Sequence, residues 1–412
     1  MGDREKKTQR GCNSCPDRLE RCVPALFLML IFAAALAAAP ISADSAATAP
    51  PLLVRLDGDI ADGRLDDYSL IQAAFILSGA TVEDSLRSCL SWYDDLLERL
   101  RGCHLDPFQR LESASTIFSY LHSFCLREYK EEATTLLDVV RRQKYNCVAG
   151  TILYNLVCDD LGFRTEAFET PSHVYTIFAD FTQTVTVENT SPMGFNIMRN
   201  LRAYSAYLLG YYPKNRAAQI GLDRIYAYEN SRGRRISNTE LLGLLAYNRA
   251  YFAQRENDFA SAYAFVLLAQ AFNRDSRSNI QFEQDLYFRW GRTLFQNGEY
   301  DRAFSVFADG TYRYRDMKEL AQNCRAAFFQ GLRKHRMQGD WPASRRLIEE
   351  MAGLDLLDPP QQAEQTAILA EWAEDLYRRA DRKSLLECLD LLSAGDQDRW
   401  NALRRAAEAL PE

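Results

Sequence analysis

Three residues of this chain have the types and the order that nucleophilic chemistry needs: Cys147, His173 and Glu188. Cys147 opens "CVAGTILYNLVCDDLG", residues 147–162, where Ala149, Ile152, Leu153, Leu156 and Val157 space as one helical face and Gly162 suits the stop. A cysteine attacks as its thiolate, and both a helix N-terminus and a neighbouring imidazolium favour that form. Cys147 has the first by position. The second needs a histidine, and the chain has only 4. His173 begins "HVYTIFADFTQTVTVEN", residues 173–189, which reads as a β-hairpin. Its arms are 173–178 and 183–189, turning near Asp180-Phe181. With that centre, residue i faces residue 361 − i, so His173 faces Glu188. Facing side chains have Cβ atoms about 4.5–5.5 Å apart. A carboxylate there orients the imidazole, completing a nucleophile, a base and its orienting acid. A slip of one residue would send Glu188 to the other face.

The elements that must hold these groups follow from the flanking text. Residues 66–142 are helical, with apolar residues three and four apart. After the Cys147 helix, "FRTEAFE" alternates as a strand does and leads to the hairpin. A helix followed by strands is an α+β unit. From about residue 200 the chain is helical again, and there it repeats. Phe259, Tyr300 and Trp341 fall 41 residues apart, each two after Asn or Gly and each three before Ala262, Ala303 or Ser344. Val266, Phe307 and Ile348 lie one turn on, and Ala373, Leu376, Ala380, Leu385 and Leu389 make a weaker fourth copy. That pattern resembles tetratricopeptide helix pairs, with a period longer than the usual 34. Stacked pairs form a concave surface that takes a protein or peptide.

Composition bounds the rest. The chain has 412 residues, 47% hydrophobic and 25% charged, which is globular and long enough for two or more domains. A net charge of −7 argues against a nucleic-acid partner. The polar residues 1–22 precede an uncharged apolar run, 23–39, and then small residues that allow cleavage after Ala43. This reads as a secretory signal peptide, with an uncleaved membrane anchor through 23–39 as the alternative. Either places the body outside the cytoplasm, periplasmic or secreted. Cys12, Cys15 and Cys22 of the leader read as incidental, and seven cysteines follow it, an odd number that leaves a free thiol. His104, His122 and His335 lie in helical text without ligand spacing, and no metal or cofactor is expected. The basic run 231–238 reads as a solvated linker, and the tyrosine-rich 201–215 either lines the cleft or packs domains together.

Cys at a helix start, His at a strand start and an acid on the next strand before "NTSP" resemble the transglutaminase-like superfamily. In many of its members the acid sits in a "D-P-T"-like or "E-T-T"-like motif, and "VTVENTSP" is similar, with Glu in place of the usual Asp. The resemblance covers roughly residues 130–200. It implies a papain-like Cys-His-acid triad on a cysteine-proteinase-like α+β core. Extracytoplasmic bacterial members fused to tetratricopeptide repeats are familiar. The expected fold is thus an α+β transglutaminase-like domain followed by an all-α tetratricopeptide-like repeat domain. The expected division is signal or anchor 1–43, linker 44–60, transglutaminase-like domain 61–215, linker 216–238 and repeats 239–412. The expected function is an exported cysteine enzyme acting on amide or acyl bonds as peptidase, amidase or acyltransferase. The alternative is an inactive adaptor or envelope assembly protein of the same shape.

Overall fold

The computed structural model describes residues 50–181, 183–210, 213–222, 224–392 and 397–410. The leader cysteines, the apolar run 23–39 and the expected cleavage after Ala43 lie outside the described residues.

Four helices come first: α1 (Pro51–Ile60), α2 (Leu70–Leu77), α3 (Glu83–Arg101) and α4 (Arg110–Phe124). At α2 the Ser69 hydroxyl accepts from the Gln72 N–H, and the Gln72 side chain accepts from the Ser69 N–H. β1 (Glu128–Tyr129) and β2 (Lys144–Tyr145) pair in parallel around α5 (Leu136–Arg142). α6 (Cys147–Asp160) is buried at every residue from Val148 to Cys158. A helix buried on all sides must be walled on all sides. Here the walls are α2, α4, α5, a sheet and a later helix.

That sheet has four antiparallel strands, β3 (Thr165–Glu169), β4 (Val174–Ala179), β5 (Thr184–Val187) and β6 (Arg234–Ile236), in the order β5-β4-β3-β6. Between β5 and β6 lie a 3-10 turn (Ile197–Asn200) and the short helices α7 (Leu201–Leu209), α8 (Lys214–Ile220) and α9 (Ile225–Asn230). Tyr204, Leu208, Ile220 and Ile225 give this segment a small core of its own.

The remainder is helical: α10 (Asn238–Arg255), α11 (Phe259–Phe272), α12 (Arg277–Gln296), α13 (Tyr300–Arg313), α14 (Lys318–Gln338), α15 (Trp341–Leu354), α16 (Pro359–Arg378), α17 (Arg382–Leu391) and α18 (Gln397–Glu408). α11, α13, α15 and α17 start at 259, 300, 341 and 382, each 41 residues after the last. Two residues before each start, Asn257, Gly298, Gly339 and Ala380 have left-handed φ of 62°, 74°, 72° and 56°. Glycine takes that conformation freely, whereas Ala380 bears a strain of about 1 kcal/mol. The Asp258, Asp340 and Asp381 side chains then cap α11, α15 and α17.

The expected two-domain fold is overturned. Among the described residues helix makes up 68% and strand 7%, so the sheet is an insert in a helical body rather than half of an α+β domain. The described residues belong to one compact unit, Ile41–Glu412. One hydrophobic core runs from Leu52 to Leu286, straight across 216–238, and takes in Leu241, Leu245, Phe265 and Phe272. A second runs from Tyr287 to Ala407, so the two meet inside α12. The reason is α6. Its sheet covers one side only, and α10, from the supposed repeat domain, closes another. Nor is 231–238 a free linker. Arg234 and Arg235 sit in β6 and pair with Glu169, Glu240 and Glu166 at 3.2, 2.8 and 2.9 Å.

A candidate cysteine–histidine–glutamate site

Cys147 is placed by the two turns before it. Gln143 ends α5 with a left-handed φ of 55°, and β2 then pairs with β1. Asn146 caps α6, its Oδ1 accepting from the Val148 and Ala149 N–H groups at 3.0 and 3.1 Å while its Nδ2 donates to the Glu131 carbonyl at 3.0 Å. The Cys147 N–H, at the first helical position, has no acceptor within the helix. Cys147 is half-buried.

His173 enters at the mouth of β4. A tight turn sets it, with the Thr170 N–H and hydroxyl both donating to the His173 carbonyl at 2.8 and 3.1 Å. Its side chain is fully enclosed, and its Nε2 lies 2.7 Å from Glu188 Oε2. The Cys147 thiol lies close enough to the same ring to raise its pKa. With Nε2 committed to the carboxylate, Nδ1 is the nitrogen left for the thiol. The other Glu188 oxygen accepts from the Thr190 N–H at 3.1 Å and the Thr190 hydroxyl at 2.5 Å. The Glu188 N–H donates to the Gly194 carbonyl at 3.0 Å, so the chain doubles back on itself. A Cβ on Gly194 would stand 1.9 Å from the Glu188 carbonyl oxygen, which only glycine avoids.

The hairpin register differs from the expected one. The turn spans Asp180–Gln183, closed by the Asp180 N–H on the Gln183 carbonyl at 2.8 Å. Ile177 pairs with Thr186 and Thr176 with Val187, so residue i faces 363 − i. A shift of two keeps every side chain on its face. Continued one residue past β5, it sets Glu188 opposite Tyr175 and diagonal to His173. Diagonal neighbours are about 7–8 Å apart, and the extra methylene of Glu over Asp supplies that reach.

The electrostatics follow from burial. Enclosure alone would lower the His173 pKa. The Glu188 charge, the Cys147 contact and the Glu188 hydrogen bond together outweigh it and raise His173 to about 10. His122 is the contrast: burial, only partly opposed by Leu126 and Glu188, holds it down to about 4, with its ring 4.4 Å from Phe118 and 5.9 Å from Tyr145. His335 pairs with Asp301 at 2.8 Å among the later helices. Cys158 is enclosed beside Tyr154, its thiol pushed up by burial. Cys89, Cys103, Cys125, Cys147, Cys158, Cys324 and Cys388 are all unpaired thiols. Among the described residues no three His, Cys, Asp or Glu side chains group as a metal site, and no helix is long and apolar enough to cross a membrane.

Behind the three residues runs a buried polar ladder that the sequence reading missed. Asn189 Nδ2 donates to the Thr151 and Thr176 hydroxyls at 3.2 and 2.8 Å, and the Thr176 hydroxyl donates to Asn155 Oδ1 at 2.5 Å. Asn155 Nδ2 donates to Asn238 Oδ1, and Asn238 Nδ2 to Asp159 Oδ2, both at 2.7 Å. The ladder locks α6 to β4, to the Glu188 loop and to α10. Its signal was present: Thr151, Asn155 and Asp159 continue the i, i+4 row that starts at Cys147 in an otherwise apolar helix. The tyrosine-rich segment packs beside the site, with the Tyr204 ring 6.3 Å from that of Tyr175.

No family model and no curated protein matches the chain. Among solved structures it is similar to menin, whose crystal structure reveals the binding site for the Mixed Lineage Leukemia protein. The likeness has 11% identity and a TM-score of 0.30, over 87% of this chain and 95% of that one. A likeness that loose carries no argument about function.

Proposed function

We propose that the chain is a cysteine enzyme acting on amide or acyl bonds, with Cys147 as nucleophile, His173 as base and then acid, and Glu188 as the group that orients and charges the imidazole. The observation that carries this is one buried ring: His173 is held between Glu188 and Cys147, and of the three only the thiol lies half open. In the first step the Cys147 sulfur attacks the carbonyl carbon and a C–S bond forms. The tetrahedral oxyanion faces the Cys147 N–H. Collapse breaks the bond to the leaving amine, which takes the proton from His173. Water or a second amine then attacks the thioester. His173 receives its proton, and the thiolate leaves. Water makes the enzyme a peptidase or amidase, and an amine makes it an acyltransferase.

The helix pairs from α10 onward supply a surface for a protein or peptide partner. The leader at 23–39 directs the body out of the cytoplasm, either by cleavage or as an anchor. The test is iodoacetamide labelling of every cysteine against pH, read by mass spectrometry, for the wild type and His173→Ala. Fast labelling of Cys147 well below about pH 8, lost in the variant, supports the reading. Slow labelling in both removes it and leaves an adaptor.

A further inference from the structure

A buried carboxylate that the triad does not use lies beside it. Glu229, on α9, is 1% exposed. Its Oε2 accepts from the Ser172 hydroxyl at 3.3 Å, and its Oε1 has no partner. Ser172 is the residue before His173. A carboxylate out of water and half-satisfied is costly unless a cation completes it. The arginines nearest in the chain are committed elsewhere: Arg224 to the Gln219 carbonyl, Arg232 to Tyr228, Arg234 to Glu169 and Glu240, and Arg235 to Glu166.

The surroundings also suit a cation. The Tyr175 hydroxyl donates to Asn230, the residue after Glu229, at 2.5 Å. Tyr175, Tyr204 and Tyr226 follow one another at ring separations of 6.3 and 6.2 Å. Ring faces beside a carboxylate are the usual setting for an organic cation. The place adjoins the triad: Ser172, which donates to Glu229, precedes His173, and the hairpin register sets Tyr175 opposite Glu188.

We propose that Glu229, with Tyr175, Tyr204 and Tyr226, forms a subsite for a positively charged group on the substrate or acyl acceptor, an ammonium or guanidinium that replaces the Ser172 hydroxyl on Glu229. This rests on the acyl-chemistry reading of Cys147. It narrows that reading to basic substrates or to amine acceptors of the lysine kind.

The full chain is treated with three thiol reagents that differ in charge: 2-aminoethyl, methyl and 2-sulfonatoethyl methanethiosulfonate. The rate at Cys147 is followed by mass spectrometry. The cationic reagent is expected to exceed the neutral one by about fivefold or more. Glu229→Gln abolishes that preference, Glu229→Asp keeps part of it, and Glu166→Gln, a surface charge loss, leaves it intact. The preference persists in high salt, since a buried charge is poorly screened. An equal preference in Glu229→Gln overturns the subsite while the nucleophile reading stands. So does a wild-type preference that vanishes in high salt, a result that needs no variant to fold. Failure of all three reagents to reach Cys147 overturns both.

Discussion

Glu188→Gln removes the charge that holds the proton on His173 while keeping the shape of the side chain. His173 stands at about 10 against an ordinary 6.5. At about 1.36 kcal/mol per pH unit, that gap is on the order of 5 kcal/mol. In the variant the burial that opposes the proton stays, and the charge is gone. The His173 pKa should therefore fall by about three pH units or more, toward or below the ordinary value. The readout is NMR of the chain labelled at histidine, whose 4 residues make His173 assignable by its absence in His173→Ala. At pH 8 the ring should be charged in the wild type and neutral in Glu188→Gln. The same proton sets a stability profile. Its contribution is complete below about pH 6.5, drains as pH rises, and is gone above about pH 10. The wild type should lose resistance to urea across that window, and the variant should lose less. A wild-type ring that titrates near 6.5, or one unmoved by the substitution, refutes the argument that Glu188 charges His173.

Two predictions concern what holds the site. Gly194→Ala puts a Cβ 1.9 Å from the Glu188 carbonyl oxygen, a backbone atom that cannot swing away. It should cost on the order of 3 kcal/mol in thermal unfolding and erase fast labelling of Cys147. By contrast Gly58→Ala, in the open interior of α1, should stabilise by about 0.5–1 kcal/mol. A fragment of residues 44–215 lacks Leu241, Leu245, Phe265 and Phe272 of the first core. It should bind a hydrophobic dye and melt without a cooperative transition, whereas a fragment ending at 297 should melt cooperatively. A sharp melt of the shorter fragment would show that the sheet and its helices form a core by themselves.

Local chemistry is what was legible. The start of α6 at Cys147 could be read from the apolar row behind it, and the two arms of the hairpin from alternation. The starts of α11, α13 and α15 could be read from Phe259, Tyr300 and Trp341 at constant spacing. Each depends on contacts within a few residues, which composition and period encode directly. The register was not legible. A four-residue turn and a two-residue turn read alike in "FADFTQ", and only the closed Asp180–Gln183 bond distinguishes them. The diagonal reach of Glu188 follows from that turn.

By itself the sequence determined where helices and strands begin, which residues of α6 are apolar, and that one cysteine, one histidine and one acid stand in an order that can meet. Those are properties of nearest neighbours along the chain. The tertiary structure decided that α10 closes over α6, that one core passes through 216–238, and that Asn189, Thr176, Asn155 and Asn238 form one ladder. It also decided that Glu229 lies buried beside Ser172. These pair residues 13 to 83 positions apart. No local pattern selects among such pairings. The burial of apolar surface and the need to satisfy every enclosed polar group select them together.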